Sequence, residues 1–76
     1  MAYTPYETKK KQVLEYDGTG NLIYQGQANP GTLKSEAKWQ IKKFTYVGGN
    51  ITDIQFADGN TNFDNIWDNR ASLSYS

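Results

Sequence analysis

Clusters of glycine with asparagine, aspartate or proline interrupt this chain repeatedly and leave room only for short elements between them. Glycine, asparagine and aspartate tolerate the positive φ angles of tight turns, so each cluster predicts a reversal of the chain. The segments between the clusters contain many β-branched and aromatic residues, which indicates strands. The clusters are residues 17–21, 29–32, 47–50 and 57–62, and the predicted strands are 12–16, 22–28, 39–46 and 51–57, with a short C-terminal strand within 71–76.

This pattern predicts an all-β, or β-dominated, fold: a small antiparallel meander, or a sandwich or barrel, of four to five strands with one short helix before the last strand. The helix is predicted from the i, i+3, i+4, i+7 spacing, typical of one helical face, of Phe63, Ile66, Trp67 and Arg70. It would span only two turns, which is too short to be stable alone. We therefore expect its aromatic residues to pin it to the sheet.

The longest predicted strand changes the face that carries its apolar residues. Trp39 and Ile41 share one face, whereas Phe44 and Tyr46 share the opposite one. A β-bulge at residues 42–43 would bring all four side chains to the same side of the sheet. Alternatively, the strand is buried on both faces at different points along its length.

The chain has 76 residues, so we predict a single small β domain, residues 12–76, preceded by an N-terminal arm, residues 1–11. It contains no cysteine, and no disulfide can therefore compensate for a small core. The 2 Trp, 6 Tyr and 3 Phe residues have to supply most of the buried surface. Such a domain is more stable in an assembly than alone, so a homo-oligomer or a docked subunit is the expected state.

Composition also excludes several classes of function. Lysine plus arginine and aspartate plus glutamate both number 8, and this zero net charge argues against a nucleic-acid partner. No stretch approaches the ~18 apolar residues of a membrane span, so we expect no membrane partner. Histidine and cysteine are both absent, which removes the commonest general base, the thiol nucleophile and the commonest metal ligands. We therefore expect no enzymatic activity, no catalytic residue, no cofactor and no metal.

Two patterns of acidic residues have simpler interpretations than chemistry. Asp58, Asn60, Asn62 and Asp64 have the alternate spacing of calcium ligands, but the glycine and the glutamate of an EF-hand loop are missing. Asp64 and Asp68 are four residues apart, as an acid–base pair can be, but nothing predicts a cleft around them. A turn followed by a helix cap explains the first pattern, and solvated carboxylates explain the second.

The C-terminal block is the most distinctive part of the sequence. It comprises residues 63–75, FDNIWDNRASLSY, and is preceded by GNLIY at 20–24, PGT at 30–32, WQIKK at 39–43 and FADG at 56–59. With these segments the chain, from Tyr16 to its C-terminus, resembles a family of very short proteins encoded by tailed bacteriophages. Members of that family are associated with virion structural genes, so the resemblance implies a particle component and supplies no list of functional residues.

We therefore expect a non-enzymatic bacteriophage virion structural protein, a head-decoration or a tail- or fibre-associated component, that acts by protein–protein contacts with other virion proteins or with itself. One alternative is a carbohydrate- or receptor-binding module on the tail that contacts a host glycan. Another is a small phage protein that sequesters a host defence signal or inhibits a host protein. The expected localisation is the virion, after synthesis in the host cytoplasm. The expected core or interface anchors, with Arg70 as a fixed donor to a carbonyl or carboxylate, are Trp39, Phe44, Tyr46, Phe63, Trp67 and Arg70.

Overall fold

A computed structural model describes residues 9–76, which fold around one antiparallel sheet. A short strand, Asn65–Ile66, pairs with the beginning of the longest strand, and a 3-10 helix follows it before the chain returns to the sheet. The predicted β-dominated fold, with four to five antiparallel strands and a short helix near the C-terminus, is confirmed, and the sheet is a meander. Its elements are β1 (Lys11–Tyr16), β2 (Leu22–Ala28), β3 (Ala37–Val47), β4 (Asn50–Phe56), β5 (Asn65–Ile66) and the 3-10 helix (Trp67–Ser72).

Two tight turns set the register of the hairpins. In the first turn, one carboxylate oxygen of Asp17 accepts hydrogen bonds from the backbone N–H groups of Thr19 and Asn21, at 2.8 and 3.0 Å. In the turn between β3 and β4, Gly48 and Gly49 both have positive φ angles, of 60° and 86°. This is the requirement of a type I′ turn, whose twist matches that of the strands it joins.

The register of the sheet assigns each side chain to one of two faces. Val13, Gly26 and Ile41 lie side by side on β1, β2 and β3. Their face carries the core, because Ala28, Trp39, Ile41, Ala57 and Trp67 form one buried cluster. The C-terminal segment, from β5 onwards, covers this face and contributes Trp67 to it.

The core is built around two tryptophans and a glycine. The rings of Trp39 and Trp67 lie with their centroids 6.2 Å apart at an interplanar angle of 45°, a tilted arrangement that aromatic pairs favour. Trp39 is fully buried, and its indole N–H donates to the Leu33 carbonyl oxygen at 2.9 Å. Gly26 leaves space for the Trp67 ring, since a Cβ at that position would lie 2.6 Å from Trp67 Cε3.

The predicted bulge at residues 42–43 was wrong. Lys42 and Lys43 pair without interruption with both β2 and β4. The register instead shifts beside Thr45 and Tyr46, where β4 contains the extra residue. Phe44 therefore lies on the face opposite Trp39, and the interpretation that β3 uses both of its faces describes the strand better.

The two-turn α-helix predicted from Phe63 was also wrong in type and bounds. Asn65 and Ile66 form β5, so their backbone groups pair with β3 and are not available to an α-helix. The helix begins at Trp67, is of the 3-10 type, and has no side-chain cap at Ile66. Local helical spacing was overridden by pairing with a distant strand, which is how tertiary context commonly defeats propensity.

The C-terminal strand is shorter than predicted. It is reduced to one bridge between Ala57 and Tyr75, supported by reciprocal backbone hydrogen bonds between Phe56 and Ser76 of 3.1 and 3.2 Å. At the other end of the chain, most of the predicted arm, residues 1–8, lies outside the described residues, and Lys11 already belongs to β1. Within residues 9–76, no helix has the length and apolar character needed to cross a membrane.

Candidate functional site

The face of the sheet opposite the core carries a set of partly exposed apolar side chains, which we call the open face. Leu14, Gln25, Lys42 and Phe56 form one row across the four strands, because they are successive partners in the register. A second row pairs Phe44 with Ile54. The open face comprises Leu14, Gln25, Lys42, Phe44, Tyr46, Ile51, Ile54 and Phe56.

The irregularity in β4 enlarges the apolar part of the open face. Tyr46 follows Phe44 by two positions on β3 and therefore points to the same side. Its partner is Ile51, whereas the partner of Phe44 is Ile54. The extra residue in β4 thus brings two isoleucines that are three positions apart to one side of the sheet, and each is 49% exposed.

The open face carries one charge, and this charge is positive. Lys42 is its charged member, and its ammonium lies 5.5 Å from the centroid of the Phe56 ring. The set contains no carboxylate, because Glu15 on β1 and Asp53 on β4 point to the opposite side of the sheet. The open face therefore combines an apolar surface with one cation.

Arg70 connects the C-terminal segment, which covers the core face from β5 onwards, to β1. Its guanidinium donates through Nε to the Glu15 carboxylate and through Nη1 to the Trp67 carbonyl oxygen at 3.2 Å, and it stacks over the Trp67 ring at 4.7 Å. Tyr75 closes the arrangement, since its hydroxyl donates to the Arg70 carbonyl oxygen at 2.7 Å. The hydrogen bond and charge of Arg70 lower the pKa of Glu15, whereas burial raises the pKa of Tyr75.

The lowered pKa of Glu15 predicts a pH dependence of stability. The ordinary value of this group is 4.5, so the contribution of the Glu15–Arg70 pair is fully present above about pH 4.5 and is lost as the pH falls through the lowered pKa. Because both side chains are partly exposed, the contribution to the free energy of unfolding is at most about 1 kcal/mol. Urea unfolding should therefore give a lower free energy of unfolding for Glu15→Gln than for the wild type at neutral pH. This difference should disappear in acid.

Asp17 supplies the control for this measurement, because its pKa is also lowered, by hydrogen bonds from Thr19 and Asn21 within the turn. Its effect belongs to the turn and is independent of Arg70. When Asp17→Asn is present, the difference in the free energy of unfolding between the Glu15 protein and the Glu15→Gln variant should be the same as in the wild-type background. A difference that persists undiminished at pH 2 would contradict the assignment of the ion pair.

The residues expected as anchors lie in different places. Trp39 and Trp67 are in the core, and Arg70 donates to both a carboxylate and a carbonyl on the covered side. Phe44 and Tyr46 are half-buried on the open face. Phe63 does not belong to the core; it lies in the loop before β5 and is 42% exposed. The sheet therefore separates these residues and does not gather them into one site.

The sequence reasoning missed the residues that extend the open face across β1 and β4, among them Leu14, Ile54 and Phe56. Their alternation was visible in the sequence, but alternation alone does not tell which face of a strand is covered. The acidic pattern at 58–64 serves local structure, as Asn60 accepts a hydrogen bond from the Asn62 backbone and Asp64 accepts one from Asn65. Over residues 9–76, no group of three or more acidic side chains is placed to hold a metal ion.

Comparison of the chain with protein-family models, with curated proteins and with solved structures finds no match. No catalytic or binding residue can therefore be transferred to this chain from a relative.

Proposed function

We propose that this protein is a non-enzymatic structural component of a tailed-bacteriophage particle, either a head-decoration or a tail- or fibre-associated protein, that acts by protein–protein contacts through its open face. The observation that carries the proposal is the apolar surface left on that face, where Leu14, Ile51 and Ile54 are 47%, 49% and 49% exposed. The apolar residues are contiguous on β3 and β4, where Phe44 pairs with Ile54 and Tyr46 with Ile51, and contiguous exposed apolar residues are typical of interaction surfaces. The resemblance of residues 63–75 to phage proteins supports the particle as the place of interaction.

The charge of the open face favours a different protein as the partner over a second copy of this chain. A two-fold pairing of open faces would bring Lys42 of each copy towards the other with no carboxylate on the face between them. A partner with an apolar centre and a carboxylate would instead neutralise Lys42. We therefore assign the open face to another particle protein of that chemistry, and self-association is the competing outcome.

The edges of the sheet are less suited to docking than its face. The register is irregular at Glu15 and Tyr16 on β1, and again where β4 pairs with Thr45 and Tyr46. Such irregularities twist an edge strand and hinder the addition of another strand. The C-terminal residues also occupy part of the β4 edge, since Ser74 and Ser76 bond to residues 56–58.

The size of the open face supports repeated docking. With strands about 4.8 Å apart and a rise of about 3.3 Å per residue, a face that is four strands wide and 6 to 7 residues long has an area of about 400 Å². A standard stable interface buries about 800 Å² on each partner. A single contact would therefore be weak, whereas many copies docked on one lattice would be retained through multivalency.

The first test is the composition of purified particles of the phage that encodes the chain. Mass spectrometry is expected to find the protein in constant stoichiometry with the major structural proteins. Its absence from particles would overturn the proposal and favour a small protein that acts on a host signal or a host protein.

The second test places a charge on the open face. Ile54→Asp is expected to reduce incorporation into particles at least about tenfold, because it introduces a carboxylate at the apolar centre. Ile54 is half-exposed, so the fold should be retained and circular dichroism should remain unchanged. Val47→Asp is the control, since Val47 is 66% exposed and points to the opposite side of the same hairpin. Equal incorporation of both variants would exclude the open face as the docking surface. If the free wild-type protein is a dimer and only Ile54→Asp abolishes the dimer, the open face mediates self-association instead.

A further inference from the structure

A small cavity lies at the end of the sheet where β1 begins, β2 ends and β3 begins. It has a volume of about 300 Å³, the lower end of the range for small-molecule pockets. None of its lining residues belongs to the open face or to the Arg70 contacts. The lining residues are Lys10, Asn29, Thr32, Lys38 and Phe63.

The cavity is positively charged although the chain as a whole is neutral. Lys10 and Lys38 line it, and among residues 9–76 no carboxylate belongs to its lining. The Lys10 ammonium donates to the Asn29 side-chain oxygen at 2.8 Å and lies 5.2 Å from the centroid of the Phe63 ring. Within the described part of the chain, Lys38 forms one long ion pair, 3.7 Å to Glu36, and its side chain is 68% exposed. Both cations can therefore approach an anionic group that enters the cavity.

The uncharged part of the lining suits a ring that carries hydroxyl groups. Phe63 presents an exposed aromatic surface, and Asn29 and Thr32 supply an amide and a hydroxyl beside it. An aromatic face packs against the C–H groups of a pyranose ring, while amide and hydroxyl groups exchange hydrogen bonds with its hydroxyls. A simple inorganic anion would use the lysines and leave the aromatic surface without a role.

We propose that this cavity binds an acidic sugar residue. The carboxylate pairs with the ammonium groups of Lys10 and Lys38, the ring packs on Phe63, and the hydroxyls bond to Asn29 and Thr32. This assignment is independent of the open face and would stand if the particle partner were disproved.

The test is an NMR titration of the full chain with sodium glucuronate, with glucose and sodium acetate as matched probes. Glucuronate is expected to shift the backbone amides of Asn29, Thr32 and Lys38, with a dissociation constant of about 1 mM, the affinity that a ligand of this size can reach. Glucose lacks the carboxylate and acetate lacks the ring, so each should bind at least about tenfold more weakly. Added salt should weaken the binding of glucuronate, because both lysines are near the surface.

Variants locate the site. Lys38→Gln and Phe63→Ala should each weaken glucuronate binding at least about fivefold, and their side-chain exposure predicts that both variants fold. Lys34→Gln is the control, since Lys34 does not line the cavity. Equal binding of acetate would overturn the sugar assignment in favour of a simple anion site. Equal binding of glucose, or the absence of shifts at these residues, would overturn the acidic ligand.

Discussion

Replacing Trp67 with alanine is expected to lower the free energy of unfolding by about 3–5 kcal/mol, a large part of the total for a chain of this length. The side chain is 4% exposed and packs against Trp39 and Gly26, and removal of a buried tryptophan costs about 3–5 kcal/mol. A chain of 76 residues has a total stability of about 4–11 kcal/mol. The loss is increased because Arg70 would lose the ring over which its guanidinium lies. Urea unfolding followed by far-ultraviolet circular dichroism measures the effect.

Phe63→Ala provides the comparison, because Phe63 belongs to the same C-terminal block but is 42% exposed and lies outside the core. Its replacement should cost less than about 1 kcal/mol, as expected for a residue with little buried surface. If the two alanine variants unfolded at the same urea concentration, the covering segment would not be held by Trp67.

The second large effect is expected from the smallest substitution, Gly26→Ala. Within a strand, alanine is normally more favourable than glycine by about 0.5–1 kcal/mol. Here the added Cβ would lie 2.6 Å from Trp67 Cε3 and 3.1 Å from Trp39 Cε3. Because both tryptophans are buried in the core, we expect a loss of about 1–3 kcal/mol, the usual cost of overpacking. The near-ultraviolet circular dichroism of the tryptophans should change as the rings separate.

Gly18→Ala is the matched control for this substitution. A Cβ at Gly18 would meet nothing within 4 Å, and its φ does not lie in the left-handed region. The control should therefore unfold at the wild-type urea concentration or slightly above it. A Gly26→Ala variant as stable as the control would show that Trp67 does not pack against β2.

The positions of the strands could be predicted from the sequence because turn chemistry is local. Asp17 bonds to residues two and four positions ahead, and Gly48 and Gly49 set their own turn. Both effects require no knowledge of the rest of the chain. The four long strands therefore lie close to the predicted segments.

The helix and the open face could not be predicted in the same way, because both depend on distant partners. Ile66 has helical spacing from Phe63, but its pairing with Ala37 places it in β5. Phe44 alternates out of phase with Trp39, and the sequence alone is compatible both with a bulge and with a strand buried on both faces. Which face of the sheet is covered depends on where the residues after Trp67 pack, and the sequence of a single strand does not specify this.

The return of the C-terminal segment also sets an order for folding. The β1–β2 and β3–β4 hairpins join residues that are near in sequence and can form early, whereas the Arg70–Glu15 contact spans 55 positions. Until Trp67 docks, the sheet exposes apolar groups on both faces. Folding intermediates with such exposed apolar surface are prone to aggregate. Residues 65–76 thus act as a cover that the chain itself supplies, and a chaperone that assists folding would be needed most before they are in place.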